Sequence, residues 1–448
     1  MNNELSNKQV LSIGLMLFAL FLGAGNIIFP PFLGQQAGTN IWIAVAGFLV
    51  TGVGLPLLSV IAIGRAGNLQ NLASRVHPAF GIAFTIIIYL AIGPLFGIPR
   101  TATVTYEVGV LPFLSESASQ STLSLFILTV VFFSLSVWLS LNPSKMVHRI
   151  GTIITPVLLV ILSILAIKSI ITPIGSISSP AEDYVTNSFF NGFIEGYLTM
   201  DTIGGLAFGI VIIAALKDLG VTNKKTITNV VGKAGLIAAI GLALVYLALT
   251  YIGATSVNEI GFLDNGAAVI TASTKVLFGH LGSIILAIAI TLACLTTSVG
   301  LITSCAHFFS AQVPALSYKM IVYVLAIFST VIANVGLSTL ISFSLPILSF
   351  IYPLAIMLIL LSFLHKYFKG FSAVYMGGMI ATGIISLCDA LISAGINLGA
   401  IGNFVSSLPL SSQGIGWLIP GIIGCLIGYG IAIIFGMEHN TESNVIPD

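Results

Sequence analysis

The ionisable residues within apolar stretches that stand as candidates for chemistry are Arg100, Glu107, Glu195, Asp201 and Asp389. A charge placed within a membrane is expensive, so each is a functional candidate by default. Asp201 leads them. It lies in FIEGYLTMDTIGGLAFGIVI (Phe193 to Ile212), where Asp201, Thr202, Gly204 and Gly205 interrupt a helical run and a carboxylate could receive a substrate ammonium group. A second interruption falls in FALFLGAGNIIFPP (Phe18 to Pro31), with Gly23, Gly25 and Asn26 near mid-span and Pro30 and Pro31 near the end. Breaking a helix there creates two useful ends. The first half exposes carbonyls near Ala19 and Leu22, the negative end of its dipole, which suits a cation. The second half begins near Ala24 and Gly25 with free N–H groups, which suits a carboxylate. Asn26 offers a carbonyl to an ion and an amide to a substrate. A third cluster, TLACLTTSVGL, presents Thr291, Ala293, Thr296, Thr297 and Ser298. Hydroxyl and carbonyl oxygens without a carboxylate suit a weakly held monovalent cation better than Mg²⁺ or a transition metal. An amino acid zwitterion above a sodium ion would match these ends.

The elements that must position these residues follow from composition. Of 448 residues, 57% are hydrophobic and only 6% charged, against about 25% charged in soluble domains. Mean hydropathy is +1.11. The chain reads as an all-α polytopic membrane protein of about twelve spans, near 10–33, 40–63, 79–108, 121–141, 148–170, 191–216, 228–252, 281–308, 316–336, 339–363, 373–396 and 413–436. The basic residues test that count. With the N-terminus inside, Lys8, Arg65, Arg75, Lys145, Arg149, Lys217, Lys224, Lys225, Lys233, Lys319, Lys366 and Lys369 fall on the cytoplasmic side, and only Lys168 and Lys275 outside. Both termini are therefore expected in the cytoplasm. Lys8 before an apolar run resembles a signal peptide, but no small-residue cleavage site follows, so a retained first helix is expected. The segments 171–190 and 253–280 are expected as external loops.

The two interruptions occupy spans one and six. Because five spans separate them, span six enters from the opposite side, which predicts a 5+5 inverted repeat: about 10–170, then about 191–363, with two added helices at about 373–436. In such transporters, substrate and coupling ion sit between the two discontinuous helices. Glycine is common in membrane helices for packing alone. Here Asn26, the prolines and the matching break with its carboxylate favour a site. Backbone opened at mid-depth is tolerated only where protein or a water-filled cavity surrounds it.

Other chemistries find little support. A net charge of +1 gives no hint of nucleic acid. Cys294, Cys305, Cys388 and Cys425 lack CxxC spacing and read as small buried residues. His77, His148, His280, His307, His365 and His439 show no metal spacing, and no HExxH, GxSxG or GxxxxGK motif is present. No enzyme, organic cofactor or obligatory protein partner is expected; the partners are a small-molecule substrate and the lipid bilayer. Arg100, after Pro94 and Pro99, reads as a structural counter-ion to an acid. Glu107 and Glu195 are expected near the external interface. Asp389 has no assigned role.

Three runs carry a family resemblance: LFALFLGAGNIIFPPFLGQQAG (Leu17 to Gly38), IGPLFGIPRTATVTYEVG (Ile92 to Gly109) and GYLTMDTIGGLAFGIVI (Gly196 to Ile212). In these the chain resembles the bacterial branched-chain amino acid:cation symporter family, BrnQ type, of the amino acid–polyamine–organocation superfamily. The resemblance covers essentially the whole chain. It implies a LeuT-like fold in the bacterial inner membrane and sodium-coupled uptake of leucine, isoleucine and valine, with proton coupling in some members. It further implies a Gly23–Ala24–Gly25–Asn26 break whose amides at Ala24 and Gly25 bind the substrate carboxylate. Carbonyls at Ala19 and Leu22, with Ala293, Thr296 and Thr297, would hold Na⁺, and Thr199, Met200 and Asp201 would face the substrate's amino end. Asp201 departs from the hydroxyl residue often found there, leaving ammonium, a second sodium or a coupling proton open as its partner. Arg100 and Glu107 remain candidate structural or coupling charges. An ion channel or intramembrane enzyme is the remote alternative.

Overall fold

The computed structural model describes residues 5–119, 121–141 and 154–437. Lys145, His148 and Arg149, and also His439, lie outside the described residues. Every regular element among the described residues is helical. Among the described residues, eight helical stretches are long and apolar enough to cross a membrane, from Ala24–Ala66 to Ser372–Ser393. Shorter apolar helices, Thr155–Ile171, Tyr318–Ala333 and Leu418–Ile434, stand at the expected fifth, ninth and twelfth spans. Asn7–Phe21 forms the first half of span one, opened by a Ser6 cap whose hydroxyl accepts the Gln9 N–H.

The break in span one falls where the glycines place it. Helix Asn7–Phe21 ends, Leu22 and Gly23 are non-helical, and a second helix runs Ala24–Ala37. Pro30 and Pro31 do not end that helix; it continues through both. Each removes one N–H donor, a loss tolerated because the segment is wrapped in protein, with Ile27 and Leu33 fully buried.

Span six differs in detail from expectation. Helix Ser188–Glu195 passes into a 3₁₀ turn, Gly196–Thr199, and Met200 adopts a left-handed conformation (φ 65°) before helix Asp201–Asp218 begins. The interruption is thus Gly196–Met200, and Asp201, Thr202, Gly204 and Gly205 form the first turns of the second half. Gly204 and Gly205 serve packing and space: a Cβ on Gly205 would lie 2.0 Å from Ser59 Oγ of span two. Span three carries a further irregularity at the wide turn Ala91–Leu95, where Gly93 leaves helical geometry (ψ −118°) just ahead of Pro94.

The 253–280 segment is not a loop. Span seven extends as one helix, Lys224–Ile260, and Gly266–Phe278 forms another, capped where Asn265 Oδ1 accepts the Ala268 N–H at 2.9 Å. The second half of span one packs backbone to backbone on span seven. A Cβ on Gly34 would sit 1.9 Å from Thr250 O, and one on Gly253 1.9 Å from Pro31 O. Only hydrogen at both positions allows that approach, which fixes Asn26 opposite Tyr246.

Candidate functional site

The two breaks meet. A Cβ on Gly25 would stand 3.1 Å from Thr199 Cα and 3.3 Å from Leu198 O, so the opened backbones of spans one and six lie against each other. Between them is a small cavity lined by Gly23, Ala24, Gly25, Asn26, Thr199, Met200 and Asp201. Phe21, Phe208 and Leu301 give it an apolar wall, and Arg100 and Thr101 close one side. Its free volume is about 40 Å³, room for roughly three waters at ~10–15 Å³ each. A larger ligand must push the walls apart.

Asp201 is 4% exposed and sits in a hydrogen-bonded triad. The Asn26 side-chain amide and the Tyr246 hydroxyl both donate to its Oδ2, the latter at 2.6 Å, and Asn26 Nδ2 also donates to the Tyr246 oxygen. Asn26 Oδ1 accepts the Gly23 N–H at 3.1 Å. Asn26 therefore does not hold its oxygen and amide out to ion and substrate. It clips the break of span one to Asp201, because an open turn leaves N–H groups that a neighbouring side chain must satisfy. Thr199 Oγ1 accepts the Asp201 backbone N–H at 3.3 Å and donates to Gly196 O at 2.8 Å. Thr202 points away, donating to Thr51 O of span two at 3.2 Å, and does not line the cavity.

Among the described residues Arg100 pairs with no acid. Its Nη1 donates to Leu198 O at 2.6 Å and its Nη2 to Ser344 Oγ at 3.0 Å, with the guanidinium over the Phe29 ring at 5.6 Å. The 3₁₀ turn in span six frees the Leu198 carbonyl, and Arg100 satisfies it. Glu107 is half-buried on helix Gly97–Gly109 and does not line the cavity. Glu195 lines a separate cavity with Glu182, Asp183 and Tyr197. Asp389, half-buried in helix Ser372–Ser393, stands apart from both.

Beside the break, the oxygen cluster of span eight meets span one. Thr296 Oγ1 lies 2.9 Å from both Ala19 O and Ala293 O, and Thr297 Oγ1 lies 2.9 Å from Leu20 O and 3.5 Å from Ala19 O. Four of the five expected ion ligands, Ala19, Ala293, Thr296 and Thr297, are thereby brought together, and Leu20 joins them. Leu22, the fifth, is fully buried at the break. Ser298 turns away to Ser136, and Thr291 bonds its own helix at Ala287 O. All the oxygens are neutral and the hydroxyls are rotatable, a donor set that fits a monovalent cation. Among the described residues no group of His, Cys, Asp and Glu is arranged for a transition metal.

Tyr246 was not singled out by sequence reasoning. Its signal is a phenol in the middle of an apolar span, a group that normally finds a partner when buried. Leu20 carries no such signal, since its contribution is a backbone carbonyl.

Comparison with known proteins agrees with this architecture. A family model described as branched-chain amino acid transport protein matches residues 6–435. The branched-chain amino acid permease BraB of Bacillus subtilis is 50% identical over 438 residues, 97% of this chain and 98% of the relative. The branched-chain amino acid permease BrnQ of Escherichia coli K12 is 42% identical, covering 94% of this chain and 95% of the relative. Among solved structures, Mhp1, a nucleobase-cation-symport-1 family transporter in a closed conformation, superposes with a TM-score of 0.64 at 14% identity, covering 97% of this chain and 94% of that one. MhsT in complex with L-phenylalanine gives 0.57 at 17% identity, with 93% and 98% covered. At those identities the likeness is one of fold alone: a multi-pass, all-helical, LeuT-like architecture.

Proposed function

The chain belongs to the branched-chain amino acid transport protein family, and on that premise we propose that it is a secondary symporter importing leucine, isoleucine and valine with Na⁺ by alternating access. A transporter of this family is not an enzyme. The observation that carries the reading is the convergence of two helix breaks on one cavity, with Asp201 in one wall and a neutral oxygen cluster beside it.

The roles follow from the ends of the broken helices. The Ala24 and Gly25 amides, at the positive end of helix Ala24–Ala37, receive the substrate carboxylate. Asp201 receives the ammonium through Oδ1, since Asn26 and Tyr246 both occupy Oδ2. Thr199 and Met200 flank it, and the apolar wall takes the aliphatic side chain. That wall excludes polar side chains by leaving them unpaired. It separates leucine from valine poorly, because one methylene is worth only about 1–3 kcal/mol. Ala19, Leu22, Ala293, Thr296 and Thr297 hold the Na⁺. The protein resides in the bacterial inner membrane with both termini cytoplasmic, its two five-span repeats inverted about the site.

Proteoliposomes loaded with K⁺ and placed in Na⁺ should accumulate labelled leucine, and should not do so in choline. Equal accumulation in both would reject sodium coupling. A second reading, proton coupling, is favoured by one feature: the buried Asp201 carboxylate is held by neutral donors. It predicts accumulation driven by a pH gradient alone. In either reading Tyr246→Phe removes one donor from Asp201 and should raise the leucine concentration for half-maximal uptake about tenfold, as expected for a hydrogen bond to a charged group. Unchanged uptake would remove Tyr246 from the site.

A further inference from the structure

A second concavity lies on the face where the helix of span two ends, span seven begins and span ten ends. It is a basin of about 1610 Å³ lined by Arg65, Arg75, Lys224, Lys225, Lys233 and Lys366, with no Asp or Glu among the described residues that line it. The overall charge of +1 conceals this concentration. Four separate segments of chain bring these cations together. Thr228 Oγ1 ties two of them, donating to Gly64 O of span two at 3.1 Å from the first turns of span seven. Arg65 lies over the Phe363 ring at 4.6 Å. Among the described residues no ion pair is found for Arg65, Lys224, Lys225, Lys233 or Lys366. Gly232 opens the basin on span seven, where an added Cβ would meet nothing within 4 Å.

Bringing Arg65, Lys224, Lys225, Lys233 and Lys366 together with no acid among the described lining residues favours an anion in the basin. The rim says which kind. Leu236 lines the basin and is 52% exposed, and Ile240 (54%) and Leu244 (64%) continue from it. Spaced four residues apart, they form one apolar stripe on span seven, ~12 Å long at 1.5 Å per residue. An anionic head group in the basin would place its acyl chain along this stripe, whereas a free phosphate would leave the stripe unused. The geometry points to a binding site for an anionic phospholipid, phosphate among the cations and chain against Leu236, Ile240 and Leu244. This site is separate from the transport cavity and does not depend on which solute that cavity carries.

The test is lipid retention by the purified full-length protein from phosphatidylcholine vesicles containing a quarter phosphatidylglycerol, read by native mass spectrometry and by thermal melting. Phosphatidylglycerol should be retained and should raise the melting temperature above that in phosphatidylcholine alone. Lys224→Gln/Lys225→Gln/Lys233→Gln should weaken retention about 100-fold, roughly fivefold per charge, while Lys8→Gln/Lys319→Gln should not. If the triple variant does not fold, Lys233→Gln, altering one exposed side chain, carries the fivefold effect alone. Undiminished retention by the variants overturns the site. Inorganic phosphate matching the thermal effect of phosphatidylglycerol would also overturn it, as a site for free anions.

Discussion

Asp201→Asn should weaken leucine binding about 100-fold or more and abolish accumulation. The substitution is nearly isosteric. Its remaining carbonyl oxygen can still accept from Tyr246, so the fold is expected to survive. What disappears is the negative charge facing the ammonium. Losing one partner of a buried charge pair costs about 3–5 kcal/mol, and each 1.4 kcal/mol is tenfold in affinity. Equilibrium binding of labelled leucine to the detergent-purified variant, with exchange and net accumulation in proteoliposomes, separates the possible roles. Loss of binding identifies a ligand to substrate or ion. Binding and exchange that persist without accumulation identify a coupling proton on the carboxylate. Normal behaviour in all three assays would remove Asp201 from the mechanism.

Thr296→Ala should raise the Na⁺ concentration for half-maximal uptake about 10–100-fold and leave the maximal rate at saturating Na⁺ closer to the original. The Thr296 hydroxyl lies 2.9 Å from Ala19 O and 2.9 Å from Ala293 O, joining the end of the first helix to span eight. Its loss removes one ion ligand and leaves the buried Ala19 carbonyl without that donor, a cost of about 1–3 kcal/mol. Thr296→Ser keeps the oxygen and should restore most of the sodium affinity, whereas a merely steric role for the methyl group would leave Ser as impaired as Ala. If the sodium dependence of Thr296→Ala is unchanged, the cation binds elsewhere.

Much of this protein was legible before any coordinates. Low charge and long apolar runs force helices, because a backbone in lipid has no other way to satisfy its hydrogen bonds than a helix or a closed barrel. Gly23 and Gly25 with Asn26 marked the break in span one to within a residue or two. The break in span six was read four or five residues too late. Gly204 and Gly205 looked like breakers but lie within a helix, while the residue that turns the chain is Met200, whose left-handed backbone no sequence rule favours.

Local sequence fixed the class of protein, the approximate spans and the residue types available for a zwitterion and a cation, since hydropathy and helix breaking are properties of a residue and its near neighbours. The tertiary structure alone decided that Tyr246, 45 residues from Asp201, donates to it. It decided too that Arg100 serves a carbonyl of span six, and that six cations share one basin. Such pairings depend on how helices distant in sequence are laid side by side, and that is set by close approaches such as Gly34 on Thr250 and Gly253 on Pro31.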